Sequence, residues 1–340
     1  MTAFVPPRAG RRALLVLSAA AAVALGVTAL MGMAAGYGRL LGALKAANPM
    51  WVALALPAEA LAYVGYALAF RAAAALERGP RLGLTLATRV VAASVGATRL
   101  MLGGGPGYLY WALRRTGMSK TGSIARLVAL NVLLFGVLGA LVWSASLLAL
   151  LGPGAPLLRA IAVPWLVGGA AVGGGLSVAV VMFGMRLPPE RTTTIVRVLF
   201  RRPAQHATAY VGAALYWAGD ILCLWLALRA FDVTLSFTAL VLAYATSYLA
   251  TMLPLPLGGA GGGEAAITLA LTAVGVPLAP ALVGVLTYRL FSFWLPTLPG
   301  LVLLAGGPWL MRGLGRSGSA PDGSVRPPMS EGPCAQRIDA

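Results

Sequence analysis

Long apolar stretches alternate along this chain with short polar, mostly basic ones, and the lengths of the apolar stretches set the expected architecture. The hydrocarbon core of a bilayer is about 30 Å thick, so a helix that crosses it needs about 20 apolar residues. Six stretches reach that length, at 13–35, 50–70, 124–150, 159–184, 207–230 and 278–305. Two others are apolar but interrupted. Residues 84–116 break at Gly103, Gly104, Gly105, Pro106 and Gly107, and residues 236–276 break at PLPLGGAGGGEAA, where five of the six positions 258–263 are glycine. Glycine and proline punctuate helices, so each interrupted stretch is expected as two helical pieces around a bend. The pattern predicts an all-α integral membrane protein with six full transmembrane helices and two glycine-broken re-entrant hairpins. The first stretch follows Arg8, Arg11 and Arg12, but it outruns a signal-peptide core of about 7–15 residues and is expected to remain as a span.

The positions of the basic residues orient these elements. With both interrupted stretches as hairpins, the cytoplasmic segments are 1–12, 71–83, 114–126, 185–206 and 306–340, and they hold 19 of the 26 Lys and Arg. That bias follows the positive-inside rule, with both termini cytoplasmic in a plasma membrane. The two hairpins then enter from opposite faces. Each has a glycine-rich break, a short helix and a turn, at Gly117-Met118-Ser119 and Gly275-Val276-Pro277. Such a pair of oppositely oriented units predicts an inverted repeat. The chain divides into a basic N-terminus (1–12), a polytopic membrane domain (13–305) and a Gly/Ser/Pro-rich tail (306–340) expected to be disordered.

Composition agrees: 59% hydrophobic and 10% charged residues leave too little polar surface for a water-soluble globule. A net charge of +17 would suggest nucleic acid in a soluble protein. Here the charge sits between apolar runs, so the expected partners are membrane phospholipids, with no nucleic acid and with a homo-oligomer compatible. Cys223 and Cys334 are the two cysteines and His206 the one histidine, which gives little material for a disulfide framework, a metal centre or a catalytic triad. There is no phosphate-binding loop motif, no HExxH, and no polar segment long enough for an ATPase or transferase domain. No cofactor, no metal and no catalytic residue is therefore expected, and the chain is not expected to be an enzyme.

The candidate chemistry lies at membrane depth. Unpaired backbone groups are not tolerated in hydrocarbon, so the break around Gly258, Gly259 and Gly261 should line a cavity, with the helix that starts near Glu264 presenting free N–H groups. In the other reading Glu264 caps its own helix. Arg289, inside TYRLFSFWLP, needs a partner or a task, because a charge at the bilayer centre costs about 2.5–3.5 kcal/mol on insertion scales. Glu264 and Asp220 are the available acids, so an internal ion pair and phosphate binding are the two readings. Glu59 is a third intramembrane acid. Arg89 and Arg99, ten apart in one predicted helix, are assigned to one side of it, where lipid phosphate would suit them. Trp51, Trp165 and Trp309 are expected as interfacial anchors.

The run PLPLGGAGGGEAAITLALTAVGVPLAPALVGVLTYRLFSFWLP resembles the signature of the lysylphosphatidylglycerol synthase transmembrane family, the flippase-like membrane region of multiple peptide resistance factors. The matching positions are Pro256, Gly258, Gly259, Gly261, Glu264, Gly275, Val276, Tyr288, Arg289, Trp294, Leu295 and Pro296. In the first interrupted stretch the likeness is looser, with Gly107-Tyr108 and Trp111 where relatives carry Gly-Glu and Arg. The resemblance implies a bundle with two re-entrant elements that moves a lipid between leaflets, aminoacylated phosphatidylglycerol among the substrates of relatives, without the synthase domain. The expected function is a lipid translocase, with Glu264, Arg289, Gly258, Gly259, Gly261, Asp220, Arg89, Arg99 and Tyr288 contacting substrate. An accessory subunit of an envelope-lipid pathway and a lipid-modifying transferase are the alternatives.

Overall fold

The computed structural model describes residues 11–100, 104–152, 156, 158–169, 189–252 and 260–306. Among them the chain forms helices and turns and no strand. The helices are α1 (Arg11–Ala35), α2 (Tyr37–Lys45), α3 (Pro49–Ala74), α4 (Leu84–Leu100), α5 (Gly104–Arg115), α6 (Lys120–Leu151), α7 (Leu158–Gly169), α8 (Pro189–Arg201), α9 (Ala207–Arg229), α10 (Phe237–Met252), α11 (Gly262–Ala273), α12 (Leu278–Arg289) and α13 (Leu295–Ala305). Five segments among the described residues are long and apolar enough to cross a bilayer: Ser18–Ala35, Pro49–Ala74, Lys120–Leu151, Pro203–Arg229 and Leu278–Ala305. Of the expected sixth span only α7 is described, and residues 170–188 lie outside the described set, as do 1–10 and 307–340 with the predicted N-terminal segment, Trp309 and nearly all of the predicted tail. The most apolar window of α1 is only 22% buried and that of the α9 segment 61%, so large apolar surfaces face outward. Such surfaces belong against lipid tails.

Both interrupted stretches are indeed two helices each, α4 with α5 and α10 with α11, and the members of each couple pack on one another. Residues 101–103 and 253–259 lie outside the described residues, Gly258 and Gly259 with them.

Two close crossings organise the core, and glycine makes both possible. Between α3 and α9 a Cβ added at Gly65 would meet the Tyr216 nitrogen at 2.4 Å, and one at Gly219 would meet the Ala62 nitrogen at 2.6 Å. The backbones touch because neither residue has a side chain in the way, which is how helices associate when lipid removes the hydrophobic drive between them. Between α4 and α13 the same holds for Gly96, whose added Cβ would lie 2.6 Å from the Gly300 carbonyl carbon. The first crossing carries Glu59 on α3 against Asp220 on α9. The second carries Arg99 on α4 toward the chain that precedes α13.

Capping is local and legible. Asn48 accepts from the Met50 N–H at 3.0 Å ahead of Pro49 to open α3, and Ser119 accepts from the Gly122 N–H at 3.1 Å to open α6. At the far end of α3 the Arg126 guanidinium, reaching across from α6, donates to the carbonyls of Ala74, Leu76 and Gly122. Trp51 packs edge-on against Trp225 at 5.9 Å, and Trp165 donates to Thr246 Oγ1 at 3.0 Å. Trp51 and Trp165, two of the three tryptophans expected as membrane anchors, thus also tie helices together.

Candidate functional site

α12 and α13 run on through a wider π-turn, Leu290–Trp294. Pro296 explains part of it: a proline has no N–H to give to the carbonyl four residues back, and that carbonyl, Ser292 O, instead receives the Tyr63 hydroxyl at 3.4 Å. Such turns recur at functional sites because they re-aim side chains. Here the turn sets Arg289 and Phe293 together.

Glu264 and Arg289 meet: Arg289 Nε donates to Glu264 Oε1 at 3.1 Å, with Glu264 1% and Arg289 8% exposed. The other carboxylate oxygen accepts from the Gly261 N–H at 2.7 Å. Glu264 thus caps its own helix with one oxygen and with the other makes the internal ion pair that was one of the two readings of Arg289. Gly261, at φ +79°, supplies the left-handed turn that aims its N–H back at the carboxylate. The Arg289 guanidinium lies on the first turn of α11, so close that a Cβ at Gly263 would come within 3.0 Å of it.

Arg99 arrives at the same place from α4. Its guanidinium carbon sits 3.8 Å from the Phe293 ring centroid, and that of Arg289 sits 4.3 Å from it. One buried ring therefore holds two guanidinium groups, an arrangement favoured by the ring quadrupole. Glu264 answers one of these charges. Arg99 makes no ion pair among the described residues, and its Nε is buried without a hydrogen-bond partner. Two cations, the amino end of α11 and one carboxylate leave this cluster with an excess of positive field, which suits an anion.

A second polar cluster lies beside the first. Asp220 accepts from the Tyr288 hydroxyl on Oδ1 at 2.8 Å and from the Tyr244 hydroxyl on Oδ2. Glu59 contacts Asp220 and the Cys223 thiol, and its Oε2 is buried with no hydrogen-bond partner. Tyr63, whose hydroxyl reaches Ser292 O in the π-turn, is within electrostatic reach of Glu59, Asp220, Arg99 and Arg289.

The sites expected from sequence divide accordingly. Glu264, Arg289, Gly261 and Arg99 converge on the first cluster, and Asp220 and Tyr288 on the second. Arg89 does not join Arg99: ten helical residues separate them by about 15 Å along the axis and about 80° around it. Gly258 and Gly259 lie outside the described residues. Phe293 and Tyr244 went unrecognised in the sequence. Phe293 is four residues after Arg289, a spacing that puts helical neighbours in contact, and this was the available signal.

Among comparisons with known proteins, the family model described as the lysylphosphatidylglycerol synthase TM region matches residues 16–300. No curated protein matches the chain significantly. The matched range contains every residue of both clusters.

Proposed function

The chain belongs to the family of lysylphosphatidylglycerol synthase TM regions, and from that premise we propose that this membrane protein translocates a phospholipid between leaflets. The anionic headgroup occupies the pocket of Arg99, Arg289 and Phe293 while the acyl tails stay in the bilayer. The observation that carries this reading is Arg99, a guanidinium against a buried ring with no carboxylate of its own. A lipid phosphate has the charge and the acceptor oxygens to complete it. A headgroup stripped of water meets a steep barrier in hydrocarbon, and fixed donors in a pocket substitute for that water. Any amine on the headgroup falls to Glu264. In this reading α4–α5 and α10–α11 are re-entrant hairpins in an inverted repeat, both termini are cytoplasmic, the membrane is the plasma membrane, and the chain does no covalent chemistry.

One observation favours the accessory reading instead: the Glu264–Arg289 pair is internally satisfied, as a purely structural pair would be. Proteoliposomes carrying fluorescent phospholipids separate the two. Arg99→Ala should slow leaflet exchange of phosphatidylglycerol about tenfold or more, as losing a charge-assisted contact of about 1.5–3 kcal/mol implies, with little change in thermal unfolding. Absence of exchange for anionic and zwitterionic lipids alike would establish the accessory role. A new lipid product by mass spectrometry would establish the transferase.

A further inference from the structure

The acidic cluster has features that a structural network does not need. Glu59 and Asp220 are 5% and 8% exposed, and the α3–α9 crossing, where Gly219 lies on Ala58 and Ala62, sets them side by side. Two carboxylates buried side by side repel, which favours one proton on the pair over none. The neighbours decide which group carries it. Asp220 has both oxygens taken by hydroxyl donors, Tyr288 and Tyr244, which suits the ionised form. Glu59 has no tyrosine hydroxyl on it, and its Oε2 is buried without a partner, which suits the acid.

The charged and titratable groups around this pair come from five elements. α3 gives Tyr63 and α4 gives Arg99. α9 gives Cys223 and Tyr216. α10 gives Tyr244 and Tyr248, and α12 gives Tyr288 and Arg289. The cations among them are therefore Arg99, facing Glu59, and Arg289, facing Asp220. Arg289 already has Glu264. Arg99 is the one without a carboxylate among the described residues, and it lies against Phe293 within electrostatic reach of Glu59.

We infer that Glu59, against Asp220, is a proton-binding site coupled to headgroup binding, with Arg99 serving one anion at a time. When a proton from bulk water sits on Glu59, Arg99 is free to take a phosphate. When the headgroup leaves, Glu59 gives up its proton, separates from Asp220 and turns its carboxylate to Arg99. The sign follows from charge: an anion in the pocket favours the protonated form of a neighbouring carboxyl, so binding takes up a proton and weakens as pH rises. The inference rests on the translocase reading for its ligand and supplies it with a driving force, a proton gradient.

Purified full-length protein in phosphatidylcholine nanodiscs tests it, with short-chain phosphatidylglycerol as the probe. Calorimetry in buffers of different ionisation enthalpy should show uptake of up to about one proton per headgroup bound. Glu59→Gln, a fixed mimic of the protonated acid, should bind with no proton uptake and with affinity independent of pH. Binding by the unmodified protein without proton uptake, or pH dependence retained in Glu59→Gln, would overturn the coupling. Infrared difference spectra between low and high pH test the proton itself and need no ligand: a protonated-carboxyl band that appears on acidification in the unmodified protein and is missing in Glu59→Gln supports the site, and no such band at any pH overturns it. Should the probe fail to bind at any pH, the headgroup reading and its coupling fail together, and the band still decides the shared proton.

Discussion

Tyr288 and Arg289 are adjacent in sequence yet serve two different carboxylates, Tyr288 donating to Asp220 at 2.8 Å and Arg289 to Glu264 at 3.1 Å. Consecutive residues on a helix point about 100° apart, so a single turn of α12 joins the acidic cluster to the arginine cluster. Any rotation of that turn is felt by both carboxylates. The π-turn that follows directly is an irregularity of the kind that recurs at functional sites.

The Glu264–Arg289 pair should be costly to break on one side only. Arg289→Gln strands a buried carboxylate, and Glu264→Gln leaves two guanidinium groups against one ring. Each single substitution is expected to lose about 3–5 kcal/mol of stability, whereas the double substitution should lose clearly less than the sum. Thermal unfolding in detergent across the four proteins measures this, and strictly additive losses would mean that the pair is not coupled.

The α3–α9 crossing makes a sharper claim about shape. A methyl group at Gly65 meets peptide backbone at 2.4 Å and one at Gly219 at 2.6 Å, and backbone cannot rotate aside as a side chain can. Gly65→Ala and Gly219→Ala should each cost about 1–3 kcal/mol through overpacking. They should also part Glu59 from Asp220. Unfolding temperature reads the first effect, and the loss of the protonated-carboxyl infrared band reads the second. Gly136→Ala, which meets nothing within 4 Å, is the control expected to change neither.

Much of this was legible in the residues, for physical reasons. Spans announce themselves by length, so 50–70 and 124–150 anticipate α3 and α6, and the glycine breaks at 103–107 and 258–263 anticipate the paired helices on either side. Glu264 and Arg289 stood out because lone charges in apolar runs demand partners. What stayed hidden depends on which faces meet. Nothing in a single helix tells that Gly65 lies on Gly212 and Tyr216, and it is that contact that sets Glu59 beside Asp220. Arg89 and Arg99 looked equivalent as basic residues in one apolar helix. Only the Gly96–Gly300 crossing, which brings the end of α4 to Phe293, distinguishes them.

Phe293 should matter through its ring. Two guanidinium carbons lie within 4.3 Å of its centroid, each interaction worth about 0.5–2 kcal/mol according to its exposure to water. Phe293→Leu keeps most of the apolar volume and removes the quadrupole, so Arg99 should lose its fixed position and the affinity for short-chain phosphatidylglycerol should fall by about five- to tenfold. Phe293→Tyr keeps the ring face and should bind within about twofold of the unmodified protein, provided that the added hydroxyl finds an acceptor. Equal binding by the leucine variant would show that the ring is only packing.

At the end of α3 the chain turns through Glu77 and Arg78, both at positive φ (46° and 59°), a conformation that costs about 1–3 kcal/mol for residues with a side chain. Arg126 holds this turn by donating to Ala74 O at 3.0 Å, to Leu76 O and to Glu77 O at 3.4 Å, while it also bonds Gly122 O in its own helix at 3.2 Å. The helix carbonyls that lack intrahelical donors are thus satisfied by a charged side chain. Arg126→Ala should cost about 2–4 kcal/mol, since hydrogen bonds to a charged group are worth about 1.5–3 kcal/mol and the carbonyls beneath are left unpaired. Gly79→Ala should be as damaging for a steric reason, because its methyl would lie 2.0 Å from Ala74 O and 2.7 Å from the Arg126 guanidinium. Both losses belong to the turn and lie away from the arginine pocket. In variants stabilised enough to purify, headgroup affinity should stay unchanged while the unfolding temperature falls, and a parallel drop in affinity would place Arg126 in the binding machinery instead.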